Sequence, residues 1–145
     1  MFPTVLLVDD DDALELFIGR ALQKAGVRLS LKYVSSGDEC VRYLLREGNY
    51  KDTTQYPNPA VMILDLKMPG VSGFRVLEWK QQQPHLNFIP VVVLSSSDLE
   101  RDRQFALALG AVAYCVKPLN FDDFIPFVKS LEQYCSTTAK TAAAG

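Results

Sequence analysis

Four short apolar runs recur along this chain, and each ends on a polar or charged residue. Val5-Leu6-Leu7-Val8 leads into Asp9, Val61-Met62-Ile63-Leu64 into Asp65, the run from Ile89 to Leu94 into Ser95, and Val112 to Val116 into Lys117. Apolar runs without polar alternation suit strands buried on both faces, as in parallel sheets covered by helices. Leu29, Leu31 and Tyr33 alternate with Ser30 and Lys32 and add one more strand, second in chain order. A chain built this way must supply helices to cover both faces of its sheet.

The segments between the runs have helical spacing. Leu14, Phe17, Ile18, Ala21, Leu22 and Ala25 recur on one face, with Gly26 as the stop. Ser36-Gly37-Asp38 opens a helix carrying Cys40, Val41, Leu44 and Leu45. Phe74, Val76, Leu77 and Trp79 lie on a third helix that ends by Pro84, and a fourth runs through Phe105 and Leu109 to Gly110. Phe121, Phe124, Val128, Leu131 and Cys135 face the core or a partner from a fifth, where Pro126 removes a backbone donor and predicts a late start or a kink. Residues 48–59 are polar, Pro-punctuated and long for a connection in an α/β unit.

Alternating strands and helices with right-handed crossovers leave few topologies. The expected fold is α/β, a flavodoxin-like doubly wound parallel sheet of five strands in the order 2-1-3-4-5, with five helices. At 145 residues the chain has the length of one domain, expected over residues 1–135, with 136–145 a flexible C-terminal tail. In such sheets ligands bind beyond the carboxyl ends of the strands. Asp9 and Asp10, Asp65, Ser95 and Lys117 are expected there.

Asp9 to Asp12 form a run of four acids at a buried strand's exit. Like charges there repel and raise one another's pKa unless a cation or hydrogen-bond donors compensate. A divalent metal is the simplest compensator; solvated acids that cap the next helix are the other reading. Three carboxylates at one sheet edge make a hard-oxygen site of the kind Mg²⁺ accepts. A Ser hydroxyl and a Lys ammonium at neighbouring strand ends suit phosphoryl transfer, which depends on positioning and charge neutralisation. A carboxylate can itself be the nucleophile.

Several classes are disfavoured. With 15 basic and 17 acidic residues and a formal charge of -2, the chain has no basic field for a phosphate backbone, so direct nucleic-acid binding is not expected. Cys40, Cys115 and Cys135 are far apart and lack CxxC spacing, which argues against a disulfide framework or zinc site. No apolar stretch nears the roughly 18 residues of a membrane span, so no membrane association and a cytoplasmic location are expected. No GxxxxGK[ST], GxGxxG or HExxH motif is present. His85, the one histidine, reads as a solvated loop residue.

Taken together the motifs resemble the receiver domain of two-component response regulators. Val-Asp-Asp at 8–10, Leu-Asp-Leu-Lys-Met-Pro-Gly at 64–70 with Gly73, Ile-Pro-Val-Val-Val-Leu-Ser at 89–95, and Gly-Ala with Tyr-Cys-Val-Lys-Pro within 110–118 occur in the family's order. The resemblance covers nearly all of residues 4–135. It implies Asp65 as phosphoacceptor, Asp10 as direct Mg²⁺ ligand, Asp9 as a direct or water-mediated one, and the backbone carbonyl of Lys67 as the third protein ligand. It also implies Ser95 as the switch hydroxyl, Lys117 as the lysine pairing with the phosphoryl group, and Tyr114 as an aromatic whose rotamer follows the switch. Asp11 and Asp12 fall outside the motif and are expected to begin the first helix. Lys67 and Ser97 sit where side chains can hinder or guide a hydrolytic water.

The resemblance narrows to small single-domain regulators paired with bacterial, especially cyanobacterial, phytochrome histidine kinases. It implies a sensor histidine kinase as partner and a non-enzymatic role in which the chain catalyses only its own phosphorylation and dephosphorylation. No effector domain is expected after the last helix, and output is then expected from the receiver's own surface. One route is a homodimer through the fourth helix, fifth strand and fifth helix, with Tyr134, Phe127 and the chain around Pro126 on that face. A phosphorylation-independent binding module and a phosphate shuttle or sink between histidine proteins are the alternatives. Asp65-Leu66-Lys67 lacks the second acid, two positions on, that related aspartate-phosphate phosphatases need.

Overall fold

The computed structural model describes residues 2–135; the expected tail, 136–145, lies outside them. Five parallel strands form one sheet in the order β2-β1-β3-β4-β5. They are β1 (Thr4–Val8), β2 (Ser30–Val34), β3 (Pro59–Leu64), β4 (Val91–Ser95) and β5 (Ala113–Val116). The helices are α1 (Ala13–Ala25), α2 (Gly37–Leu44), α3 (Gly73–Gln81), α4 (Glu100–Ala108) and α5 (Phe124–Ser130). This is the doubly wound architecture that the alternating runs predict.

Strand alternation divides the core in two. Leu6, Val8, Met62, Leu64, Val91 and Val93 pack with Cys40, Tyr43, Val76, Leu77 and Ala106 on the side of α2, α3 and α4. Val5, Leu7, Val61, Ile63, Val92 and Leu94 pack with Ile18, Ala21, Phe124, Phe127 and Val128 under α1 and α5. Every residue of β1 and β4 is buried, whereas the edge strands β2 and β5 are mostly half-buried. Double-sided burial explains why the inner strands read as unbroken apolar runs.

Local sequence accounts for the helix ends. The Ser36 hydroxyl accepts the Glu39 N–H at 3.1 Å and starts α2, and Ser72 does the same for Arg75 at 3.3 Å in α3. Gly26, at φ 68°, closes α1 in the left-handed conformation. The last helix starts late: residues Phe121–Asp123 form a 3-10 turn, and α5 begins at Phe124, which puts Pro126 in its first turn. There the missing N–H has no intrahelical partner to lose.

Several side chains depart from the expected faces. Phe17, expected on the buried stripe of α1, is 40% exposed and stacks on Phe124 at 6.2 Å. Leu45 lies beyond the end of α2 and is exposed, and Phe105 on α4 is exposed as well. Phe127, expected on an outward face of α5, is 8% exposed and belongs to the core. It therefore contributes little to any surface.

The long connection before β3 is ordered. Gly48–Lys51 forms a 3-10 turn, and Tyr43, Tyr50 and Tyr56 meet with ring centroids 4.9–5.8 Å apart. Tyr43 donates its hydroxyl to the Pro57 carbonyl at 2.7 Å, and Tyr50 donates to Glu39 at 2.6 Å. Arg46, at φ 61°, donates to the carbonyls of Tyr50 and Tyr56 and to the Asn58 side chain, with its guanidinium over the Tyr43 ring. These contacts pay for a left-handed residue that bears a Cβ. Among the described residues no helix is long and apolar enough to cross a membrane.

Candidate cation and phosphoryl site

Parallel strands bring their carboxyl ends to one edge, so the residues that follow β1, β3, β4 and β5 are neighbours. One carboxylate oxygen from each of Asp9, Asp10 and Asp65 lies within 4.8 Å of the others. Asp9 is 1% exposed and Asp65 3% exposed, while Asp10 faces solvent. The Asp65 backbone is held to β1 by its N–H on the Val8 carbonyl at 3.0 Å, and the Asp9 N–H reaches the Val34 carbonyl at 3.3 Å. Both acids are thus fixed by the sheet.

Lys117 supplies the compensating charge. Its ammonium is 2.8 Å from Asp9 Oδ2 and 3.6 Å from Asp65 Oδ2. The Lys117 N–H donates to the Ser95 carbonyl at 2.8 Å, which anchors this turn to β4. Burial alone would lower the Lys117 pKa, but its hydrogen bond to Asp9 and the Asp65 charge outweigh that, and the group is raised above its ordinary value. Asp65 is raised as well, by burial first and then by the Asp9 charge, against the opposing pull of Lys117 and the Lys67 N–H. One ammonium therefore serves two carboxylates, and Asp65 keeps an excess of unfavourable charge.

That excess and the all-oxygen donor set fit a hard divalent cation. Asp9 Oδ1 accepts the Asp11 N–H at 2.8 Å, and Tyr33 donates its hydroxyl to the Asp9 carbonyl at 2.8 Å. The Lys67 side chain is exposed, so it does not occupy the site, and its N–H points toward Asp65 Oδ1 at 3.5 Å. Asp11 takes the Ala13 N–H at 3.0 Å and so caps α1; Asp12 precedes the helix without capping it through its side chain. The acid run thus splits into Asp9 and Asp10 at the cluster and Asp11 and Asp12 at the helix.

Gly73 is required by this arrangement. A Cβ there would collide with the Asp65 carbonyl oxygen and the Leu66 Cα, because α3 begins directly against the turn that follows β3. The Gly73 N–H donates to the Leu66 carbonyl at 2.9 Å and fixes that turn.

Ser95 is fully buried at the end of β4. Its oxygen accepts the Ser97 N–H at 3.2 Å, while its own proton has no acceptor among the described residues. Tyr114, half-buried on β5, donates its hydroxyl to the Ser97 carbonyl at 2.7 Å. The Ser97 hydroxyl donates to Asp102 at 2.6 Å, which ties it to α4. Asp102 carries no strand-end signal, and sequence reasoning passed it over; so too Tyr33, whose alternating strand position gave no sign of its hydrogen bond. His85 is exposed, away from the strand ends.

Comparisons with known proteins agree with this geometry. The family model for the response regulator receiver domain matches residues 5–129. A probable methanogenesis regulatory protein, FilR2 of Methanothrix harundinacea, is 32% identical over 131 residues, covering 90% of this chain and 81% of that protein. The response regulator Rcp1 of Synechocystis sp. is 30% identical over 140 residues, covering 97% and 93% of the two chains. The solved Mn²⁺-bound form of Rcp1 superposes with a TM-score of 0.78, at 30% identity and coverage of 90% and 91%. The phosphorylated cyanobacterial phytochrome response regulator RcpA superposes with a TM-score of 0.83, at 32% identity and coverage of 95% and 96%.

Proposed function

The chain belongs to the response regulator receiver family, and from that footing we propose that it accepts a phosphoryl group on Asp65 from a sensor histidine kinase, with Mg²⁺ as cofactor. The observation that carries this reading is the meeting of Asp9, Asp10, Asp65 and Lys117 at one sheet edge. Asp65 attacks the phosphorus in line, so that one carboxylate oxygen–phosphorus bond forms as the donor's nitrogen–phosphorus bond breaks, and the donor imidazole leaves. Asp9, Asp10, Asp65 and the Lys67 carbonyl would hold the cation, which would supply neutralisation of charge on the transferring oxygens. Lys117 exchanges its contact with the acids for a phosphoryl oxygen, and Ser95 donates its unassigned proton to another. The roughly two negative charges that arrive bias an arrangement of the β4–α4 loop and Tyr114 that the protein already samples.

The donor's approach has a matching surface. Leu14, Phe17, Pro118, Leu119, Phe121 and Phe124 line a groove of about 200 Å³ between α1 and the turn after β5, with Lys117 at its edge. Leu119 is 99% exposed. An apolar groove beside an acidic pocket suits a helix that carries a phosphohistidine. Near-complete coverage of Rcp1 and RcpA supports residues 1–135 as a receiver unit and a phytochrome-type kinase as its donor. The half-exposed Val112 and Val116, with Phe105 on α4, supply apolar surface for a homodimer through α4, β5 and α5.

The test is direct. Purified protein given Mg²⁺ and acetyl phosphate gains one hydroxylamine-sensitive phosphate per chain, and Asp65→Asn gains none. Equal labelling of Asp65→Asn overturns the acceptor assignment. No labelling of the wild type, with no thermal shift on adding Mg²⁺, favours the binding module that works by occupancy alone.

A further inference from the structure

Ser97 commits every polar group it has. Its N–H is on the Ser95 hydroxyl at 3.2 Å, its carbonyl receives the Tyr114 hydroxyl at 2.7 Å, and its own hydroxyl donates to Asp102 Oδ2 at 2.6 Å while accepting the Leu99 N–H at 3.3 Å. The residue is 8% exposed. It is therefore the knot between the end of β4, the first turns of α4 and the ring on β5. In this arrangement the Ser97 side chain is held by α4.

We propose that Asp102 is a positioning residue of the switch: through the Ser97 hydroxyl it latches the β4–α4 loop in the resting arrangement and so sets how readily Ser95 is redirected to a phosphoryl group. The role rests on the receiver reading given above. The Ser97–Asp102 bond joins a hydroxyl to a carboxylate, the stronger class of hydrogen bond, and it is partly sheltered from water. For Ser95 to turn toward Asp65 it must leave the Ser97 N–H or carry Ser97 with it. Carrying Ser97 along strains its bonds to Asp102 and Tyr114 together; leaving it abandons a buried donor. Either course costs the active arrangement, so the latch stabilises the unphosphorylated one. An interaction that favours one state lowers the population of the other by the same factor.

The charge on Asp102 is also felt in α4 itself. Asp102 stands in the first turn, beside Glu100, where a carboxylate is favoured by the helix dipole. A substitution there changes both helix stability and the latch, so the experiment must separate them. A double-mutant cycle with Ser97 does this, because the interaction of the Asp102 charge with the helix dipole does not depend on the Ser97 hydroxyl, whereas the latch does.

Phosphate incorporation from acetyl phosphate with Mg²⁺ is measured for the wild type, Asp102→Ala, which removes the acceptor, Ser97→Ala and the double variant, alongside thermal midpoints. Releasing the latch speeds labelling about three- to tenfold in each single variant, the size of one ordinary net hydrogen bond lost from the resting state alone, at the lower end for a bond that is only partly sheltered from water. The double variant is no faster than Ser97→Ala, and Ser97→Thr, which keeps the hydroxyl, labels at close to the wild-type rate. Additive effects in the double variant, or wild-type labelling rates in Asp102→Ala, overturn the latch while leaving the receiver reading intact. A wild-type protein that takes no label overturns the receiver reading and this role together.

Discussion

Lys117 and Asp9 are in direct contact at 2.8 Å, closer than Lys117 is to the acceptor Asp65. A cation that binds Asp9 therefore competes with an ammonium already in place. Lys117→Met removes the competitor and a nearby like charge, so divalent affinity rises roughly fivefold or more, as read by titration calorimetry. Without metal the same variant leaves Asp9 buried and unpaired and loses on the order of 3 kcal/mol of stability. Saturating Mg²⁺ recovers much of that loss but not phosphate incorporation, because the phosphoryl group still lacks its cationic partner.

Gly73→Ala tests how tightly the acceptor turn is built. A methyl there has no free volume against the Asp65 carbonyl, and overpacking of this kind costs about 2–3 kcal/mol. Urea unfolding measures the loss. Because the displaced atoms belong to Asp65 and Leu66, Mg²⁺ affinity falls in parallel, whereas an equally destabilising change remote from the turn leaves affinity unchanged.

Alkaline pH weakens the fold through its buried thiol. Burial pushes Cys40 up to about 12 from 9.0, so the native chain keeps a proton that the unfolded chain releases. Stability is complete below pH 9 and falls as pH rises toward 12, at a slope approaching about 1.4 kcal/mol per pH unit from this group. Tyr43 and Tyr50, each raised to about 12 from 10.0, act in the same direction from pH 10 upward. Denaturant unfolding of Cys40→Ala between pH 8 and 10 shows a shallower decline than the wild type.

Leu119→Asp separates donor docking from chemistry. A charged group on the apolar groove lowers transfer from a purified histidine kinase that labels the wild type by about tenfold, the loss of one interface anchor. Labelling by acetyl phosphate stays within twofold, roughly the error of such a comparison, since the small donor touches no groove. Equal losses with both donors show that Leu119 acts on the site itself.

Much of the fold and the acidic cluster was legible because both depend on short-range pattern. An apolar run with an acid at its end states burial and chemistry at once, and parallel strands do the gathering. Depth on a helix is harder to read. Phe17 and Phe127 sit at the edges of their helical stripes, yet Phe17 lies open on Phe124 while Phe127 is sealed in the core. Neighbours distant in the chain decide between them, and spacing within one helix carries no trace of those neighbours. The Ser97–Asp102 bond was hidden for a related reason: two ordinary polar residues in a loop and a helix acquire meaning only from their geometry.

The knot of Tyr43, Tyr50 and Tyr56 around Arg46 gives the connection before β3 a fixed shape. Its conformational freedom was surrendered when the chain folded, so contact with another molecule there involves little further ordering. The segment behaves as a landmark with a set outline: recognition of it is decided by fit alone, and an ill-matched surface is turned away instead of being accommodated.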